Sequence, residues 1–167
     1  MTKSLSDIQR ELLGTFFEES LEGLEQLEAG LLLLERSPDA SADTVNDVFR
    51  AAHSIKGGAG SFGLSEVCSL AHSMESLLEE FRSGQSAPTQ TSLSALLTSV
   101  DLLRGALDAR KAGSSLAIVE IDAQCARLNA LRAAAPSKRS GEMPTTAASA
   151  TLPARFRIAF RPLPRLL

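Results

Sequence analysis

The chain has 167 residues, 44% of them apolar, with Leu, Ala, Ser and Glu prominent and Trp and Tyr absent, a balance that favours packed helices over a sheet. Such a length accommodates one domain with a real core and an appendage, and no run of about 18 apolar residues is present to span a membrane. Residues 1–135 carry net charge −8 and residues 136–167 carry +5, so the body lacks the clustered positive charge that a nucleic-acid surface needs.

The N-terminal stretch lacks the apolar core of a signal peptide. A first helix is expected from about Asp7 to Glu35, with Ser6 as its N-cap. Ile8, Leu12, Phe16, Leu24, Leu27, Leu31 and Leu34 form its stripe, and Glu18, Glu19, Glu22 and Glu25 its solvent side. Ser37-Pro38-Asp39 breaks it. A second helix near Ala42–Phe62 presents Val45, Val48, Phe49, Ala52, Ile55 and Ala59 on one face. The third, near Ser65–Arg82, carries Val67, Leu70, Ala71, Met74, Leu77, Leu78 and Phe81 and stops at Ser83-Gly84. Pro88 opens a fourth that runs through about Arg110, and Ala112-Gly113-Ser114 ends it. A fifth covers about Ser115–Ala134.

Short connections between long amphipathic helices imply antiparallel neighbours. The expected fold is all-α: an up-and-down antiparallel four-helix bundle with an additional fifth helix, over residues 1–135. Residues 136–154, rich in Pro, Ser, Thr and Ala, read as a flexible linker. In residues 155–167, Phe156, Ile158 and Phe160 alternate as in a strand. A lone strand cannot bury its face, so this segment reads as the start of a truncated domain or a disordered tail. Cys68 and Cys125 lack metal-type spacing and read as a reduced pair.

The chemistry concentrates at residues 49–63, Phe-Arg-Ala-Ala-His-Ser-Ile-Lys-Gly-Gly-Ala-Gly-Ser-Phe-Gly. On a helical wheel, His53 falls roughly a quarter turn from the stripe centred on Val48 and Ala52, a rim position that is partly packed and partly wet. Gly57 and Gly60 border its exposed side. Interior helical glycines cost about 1 kcal/mol each relative to Ala, and here they would clear space for a partner to reach the imidazole. Alternatively, Gly57, Gly58 and Gly60 mark the end of the helix.

A neutral imidazole is nucleophilic at its unprotonated nitrogen. Phosphorylating it needs a group that fixes the tautomer, a cation for phosphoryl charge, and open access. The third helix offers His72 and Glu75 on a common edge. Antiparallel packing would bring Glu75 to Nδ1 of His53 and leave Nε2 free to attack phosphorus. Lys56, one turn on from His53, would offset charge on the phosphoryl oxygens.

Residues 8–110, most clearly from Phe49 to Phe81, resemble the histidine-containing phosphotransfer domain of CheA-type chemotaxis histidine kinases. The resemblance implies His53 as phosphoacceptor, Glu75 as its hydrogen-bonding partner, and Lys56 and His72 completing a polar network. It further implies a two-component phosphorelay: His53 would take the ATP γ-phosphoryl from a histidine kinase catalytic domain. His53 would then pass that group to an aspartate on a CheY-type or CheB-type response regulator receiver. The Arg-x-Arg-Ile-x-Phe-x-Pro run from Arg155 is similar to an opening seen in the middle regions of such kinases.

The chain shows no Gly-rich nucleotide loop and no Mg²⁺ cluster. It is therefore expected to be a carrier and not itself an enzyme, binding no cofactor, with ATP and Mg supplied through the kinase domain. No nucleic-acid partner and no membrane insertion are expected, and the location would be cytoplasmic. Two other readings use the same residues. One is a non-catalytic helical adaptor that docks partners through its acidic first helix. The other is a metal-binding bundle built on His53, His72 and Glu75, which Lys56 beside the site would disfavour by repelling a dication.

Overall fold

Local signals at the helix ends set the frame of the bundle. The structure, a computed structural model, describes residues 4–37, 42–114 and 118–134. It contains α1 (Leu5–Arg36), α2 (Ala42–Ser61), α3 (Ser65–Arg82), α4 (Gln90–Lys111) and α5 (Ile118–Ala134). The expected linker at 136–154, the terminal segment at 155–167 and residues 115–117 of the fifth helix lie outside the described residues.

The N-cap of α1 is Ser4 and not Ser6. The Ser4 amide donates to the carboxylate of Asp7 at the third helical position, while Ser4 Oγ accepts from the Asp7 amide at 3.2 Å. Ser6 hydrogen-bonds the Ser4 hydroxyl from inside the first turn. α4 likewise starts at Gln90, two residues after Pro88. Thr89 caps it, accepting from the Ser92 amide at 3.1 Å while the Thr89 amide donates to Ser92 Oγ at 2.8 Å. α2 runs through Gly57, Gly58 and Gly60 and closes at Gly63, whose φ is 68°. There the Leu64 amide reaches the Ala59 carbonyl at 2.9 Å and the Gly63 amide reaches Gly60 at 3.3 Å. This is a Schellman closure that needs a left-handed residue. The three earlier glycines therefore do not mark the helix end.

α1 packs on α2 and α4, α2 on α3, and α3 on α4, while α5 lies against α3 and α4. Directions follow from the side-chain pairs. Along α1, Phe16, Gly23 and Gly30 meet Gly58, Ile55 and Val48 of α2 in reverse order. Glu28 pairs with Arg104 at 2.8 Å, and Glu35 accepts from Gln90, so α4 also runs against α1. The architecture is the expected antiparallel four-helix bundle with an added fifth helix.

The core is largely aliphatic: Leu24, Leu27 and Leu31 of α1 meet Val48, Ala52 and Ile55 of α2, and Leu70, Met74 and Leu78 of α3 complete it with Leu96 and Leu103 of α4. Each buried Leu, Ile, Val or Met side chain is worth about 1.5–3 kcal/mol. The expected α1 stripe fails at its start, where Ile8 is 40% and Leu12 55% exposed. α1 has 32 residues and α2 only 20. At the helical rise, α1 is longer by about 18 Å, and its first turns extend past the end of α2.

Gly63→Ala should lower the free energy of unfolding by about 1–2 kcal/mol, since a Cβ is strained in the left-handed region. Urea denaturation checks this; an unchanged midpoint would show that the turn tolerates a side chain.

Candidate functional site

The α2/α3 pairing builds one polar cluster at the edge of the core. Val45, Val48, Ala52, Ile55 and Ala59 turn inward, which rotates His53 and Lys56 to the α3 side of α2. On α3, Glu75 lies among Ala71, Met74 and Leu78 and is only 8% exposed. His53 Nδ1 stands 2.6 Å from Glu75 Oε1, and Lys56 Nζ stands 2.5 Å from Glu75 Oε2. Both carboxylate oxygens are therefore engaged by α2.

The protonation pattern follows from this geometry. Burial pushes the Glu75 carboxyl up, but hydrogen bonds and charge from Lys56 and His53 outweigh it and hold the group below the usual carboxylate range. An ionised carboxylate only accepts, so Nδ1 of His53 must donate. In the neutral ring, Nε2 then holds the free lone pair. The His53 side chain is 61% exposed, so its ring is open to an approaching group.

The remaining expected residues divide. Lys56 joins the cluster by clasping Glu75, and its own side chain is 28% exposed. His72 shares the α3 edge but is exposed, and among the described residues it makes no hydrogen bond or ion pair. It lines an adjoining concavity of about 440 Å³ with Lys56, Glu75, Ser76 and Arg132. Gly57 is exposed, and a Cβ there would meet nothing within 4 Å. A Cβ at Gly60 would make ordinary contact with Cys68 Sγ at 3.7 Å. Gly58 differs from both: a Cβ there would collide with the Phe16 ring of α1. Its bareness serves packing.

Phe49, expected on the apolar face of α2, and Arg82, expected only as the end of α3, both stand beside the site. Phe49, one turn before His53, stacks on the imidazole with centroids 6.0 Å apart, and Arg82 lies 4.1 Å over the Phe49 ring. The spacing of Phe49 from His53 was a usable signal. Arg82, at the far end of α3, carried none. For the metal reading, His72 stays outside the Glu75 cluster, Lys56 occupies one carboxylate oxygen, and no group of three or more metal-binding side chains occurs among the described residues.

Comparison with known proteins bears on the same segment. The Hpt domain family matches residues 11–113, which holds the whole cluster. The chain belongs to the Hpt domain family. Among curated relatives, it is 44% identical over 106 residues to the chemotaxis protein CheA of Rhizobium meliloti (strain 1021), covering 64% of this chain and 14% of that protein. It is 36% identical over 155 residues to CheA of Salmonella typhimurium, covering 92% of this chain and 22% of the relative. The chain thus spans less than a quarter of the length of either relative.

Solved Hpt structures share the fold. The phosphorylated P1 domain of CheA3 in complex with CheY6 from R. sphaeroides superposes with a TM-score of 0.67 at 29% identity, covering 74% of this chain and 96% of that one. The solution structure of the histidine phosphotransfer domain of CheA gives 0.67 at 31% identity, covering 78% and 96%. No helix among the described residues is long and apolar enough to cross a membrane.

The Glu75 cluster has a pH signature. Its folded carboxyl titrates below its unfolded value, so the stabilisation is complete above the ordinary carboxylate range and is lost as pH falls through the depressed value. Urea midpoints of the wild type should drop more steeply from pH 6 to pH 3 than those of Glu75→Gln. Parallel curves would remove Glu75 as the source. Gly57→Ala, which adds no contact, should stabilise the Hpt domain by about 1 kcal/mol; a loss of stability would show that the chain itself needs this glycine.

Proposed function

We propose that this Hpt domain is the phosphoacceptor module of a CheA-type chemotaxis histidine kinase, with His53 carrying the phosphoryl group. The observation that carries the proposal is the Nδ1 hydrogen bond to the buried Glu75, which leaves Nε2 as the nucleophilic nitrogen of an exposed ring. The relatives named CheA support the kinase context. The complex of a phosphorylated P1 domain with CheY6 supports a receiver as the second partner.

In the first transfer, the Nε2 lone pair attacks the γ-phosphorus of ATP held by the separate catalytic domain with Mg. The Nε2–P bond forms, the P–O bond to ADP breaks, and ADP leaves with the electron pair. The Nδ1 proton stays between His53 and Glu75, so the positive charge arising on the ring faces a fixed carboxylate. Lys56 holds that carboxylate in place and adds a cation beside the incoming phosphoryl oxygens. In the second transfer, an aspartate carboxylate of a CheY-type or CheB-type receiver attacks phosphorus, and His53 leaves as the neutral imidazole. Gly57 keeps the approach to the ring free of a side chain. The chain itself acts as a carrier, with ATP bound and activated by the catalytic domain. With ATP as its phosphoryl donor, this module works in the cytoplasm in the same reading.

The test incubates the chain with a CheA-type catalytic core, Mg and γ-labelled ATP. Wild type should take up acid-labile, alkali-stable label, and His53→Gln should take up none. Equal label on His53→Gln would overturn the assignment. An unlabelled wild type that still supports partner docking would favour the adaptor reading.

A further inference from the structure

A single hydrogen bond fixes one atom of the His53 ring and leaves the ring free to tilt about that atom. In-line attack on phosphorus uses the Nε2 lone pair, which lies in the ring plane, so the tilt decides where the nucleophile aims. With most of its side chain in solvent, His53 lacks the packing that would otherwise hold the plane. Phe49 supplies a second constraint. It lies one turn earlier on α2, with its ring within 23° of parallel to the imidazole and 6.0 Å from it.

Phe49 is itself held. It is partly buried against the core. The Arg82 guanidinium lies 4.1 Å from its ring centroid, and Glu79 anchors that guanidinium at 2.7 Å. The pair is separate from the other aromatic cluster, in which Phe16 contacts Phe17 and Phe62.

We propose that Phe49 is a positioning residue that sets the plane of the His53 ring and, with it, the direction of Nε2. This inference rests on the reading of His53 as phosphoacceptor. It has an electronic side as well. Once the Nε2–P bond has formed with Nδ1 still protonated, the ring carries delocalised positive charge. The electron-rich face of Phe49 attracts a cationic ring more than a neutral one. Phe49 thus favours the ring as it becomes phosphorylated. Arg82 acts one step removed, by holding Phe49.

The experiment uses the full chain as wild type, Phe49→Leu and Phe49→Tyr. Leucine keeps an apolar side chain at the core edge and removes the ring; tyrosine keeps the ring. Two readouts are taken: ring ¹⁵N shifts of His53 by NMR without any kinase, and kcat and KM for labelling by a CheA-type catalytic core. Phe49→Leu should let the ring tilt and misalign Nδ1–H from Glu75, which moves the ring nitrogens toward mixed tautomers, and should lower kcat by roughly 3- to 10-fold with KM unchanged, the range of an aromatic pair interaction. Phe49→Tyr should match wild type in both. If Phe49→Leu only lowers thermal stability, with wild-type ring shifts and kcat, Phe49 is packing and the proposal falls. An unlabelled wild type would overturn the phosphoacceptor reading instead, and the ring spectra would then decide the positioning claim by themselves.

Discussion

A single buried carboxylate organises the functional edge of this bundle. Glu75 accepts from His53 through one oxygen and from Lys56 through the other. A carboxylate at that depth is costly unless its lone pairs are filled, and both fillers come from the same face of α2. The cluster therefore ties α2 to α3 at one rotational setting and one tautomer of His53. Chemistry and packing are satisfied by the same two contacts.

That setting depends on how closely the helices approach. On the other flank of α2, the absence of a side chain at Gly30 of α1 admits Val48, and the absence of one at Gly58 admits the Phe16 ring. α2 is thus seated against α1 by apolar contacts and against α3 by polar ones. His53 ends on the rim because the stripe from Val45 to Ala59 takes the centre. Farther out, the Arg132–Glu80 pair holds α5 to α3 at 3.0 Å, and Gln124 donates to the Ala95 carbonyl and Ser99 hydroxyl of α4.

The bundle was largely legible from periodicity, because long leucine-rich stripes at helical spacing admit few other folds. α3 has the boundaries read from its pattern, Ser65 to Arg82. The errors fell where one signal competed with another. Ser6 fitted the N-cap pattern, but Asp7 completes a capping box with Ser4, two residues earlier. Ile8 and Leu12 fit the stripe, but burial requires a neighbour and α2 is too short to provide one. At the site, helical spacing and antiparallel packing placed His53, Lys56 and Glu75 together. The same spacing put His72 beside Glu75, yet Glu75 turned inward and His72 outward. The stack of Arg82 on Phe49 joins opposite ends of consecutive helices, and no pattern within either helix announces it.

The closure at Gly63 has a consequence for how the site comes into being. Only Phe62, Gly63 and Leu64 separate α2 from α3, and the His53–Glu75 bond spans 22 residues of chain. The reactive cluster thus belongs to one helical hairpin, whose ends meet at a small loop-closure cost and on the timescale of local folding. Yet α2 carries three interior glycines past its midpoint and is a poor helix by itself. Packing of α1 on α2 and of α4 and α5 on α3 supports the hairpin. An unfolded copy still contains the histidine but has no carboxylate to select its tautomer. On the proposed role of His53, competence to receive a phosphoryl group is thereby coupled to possession of the native fold.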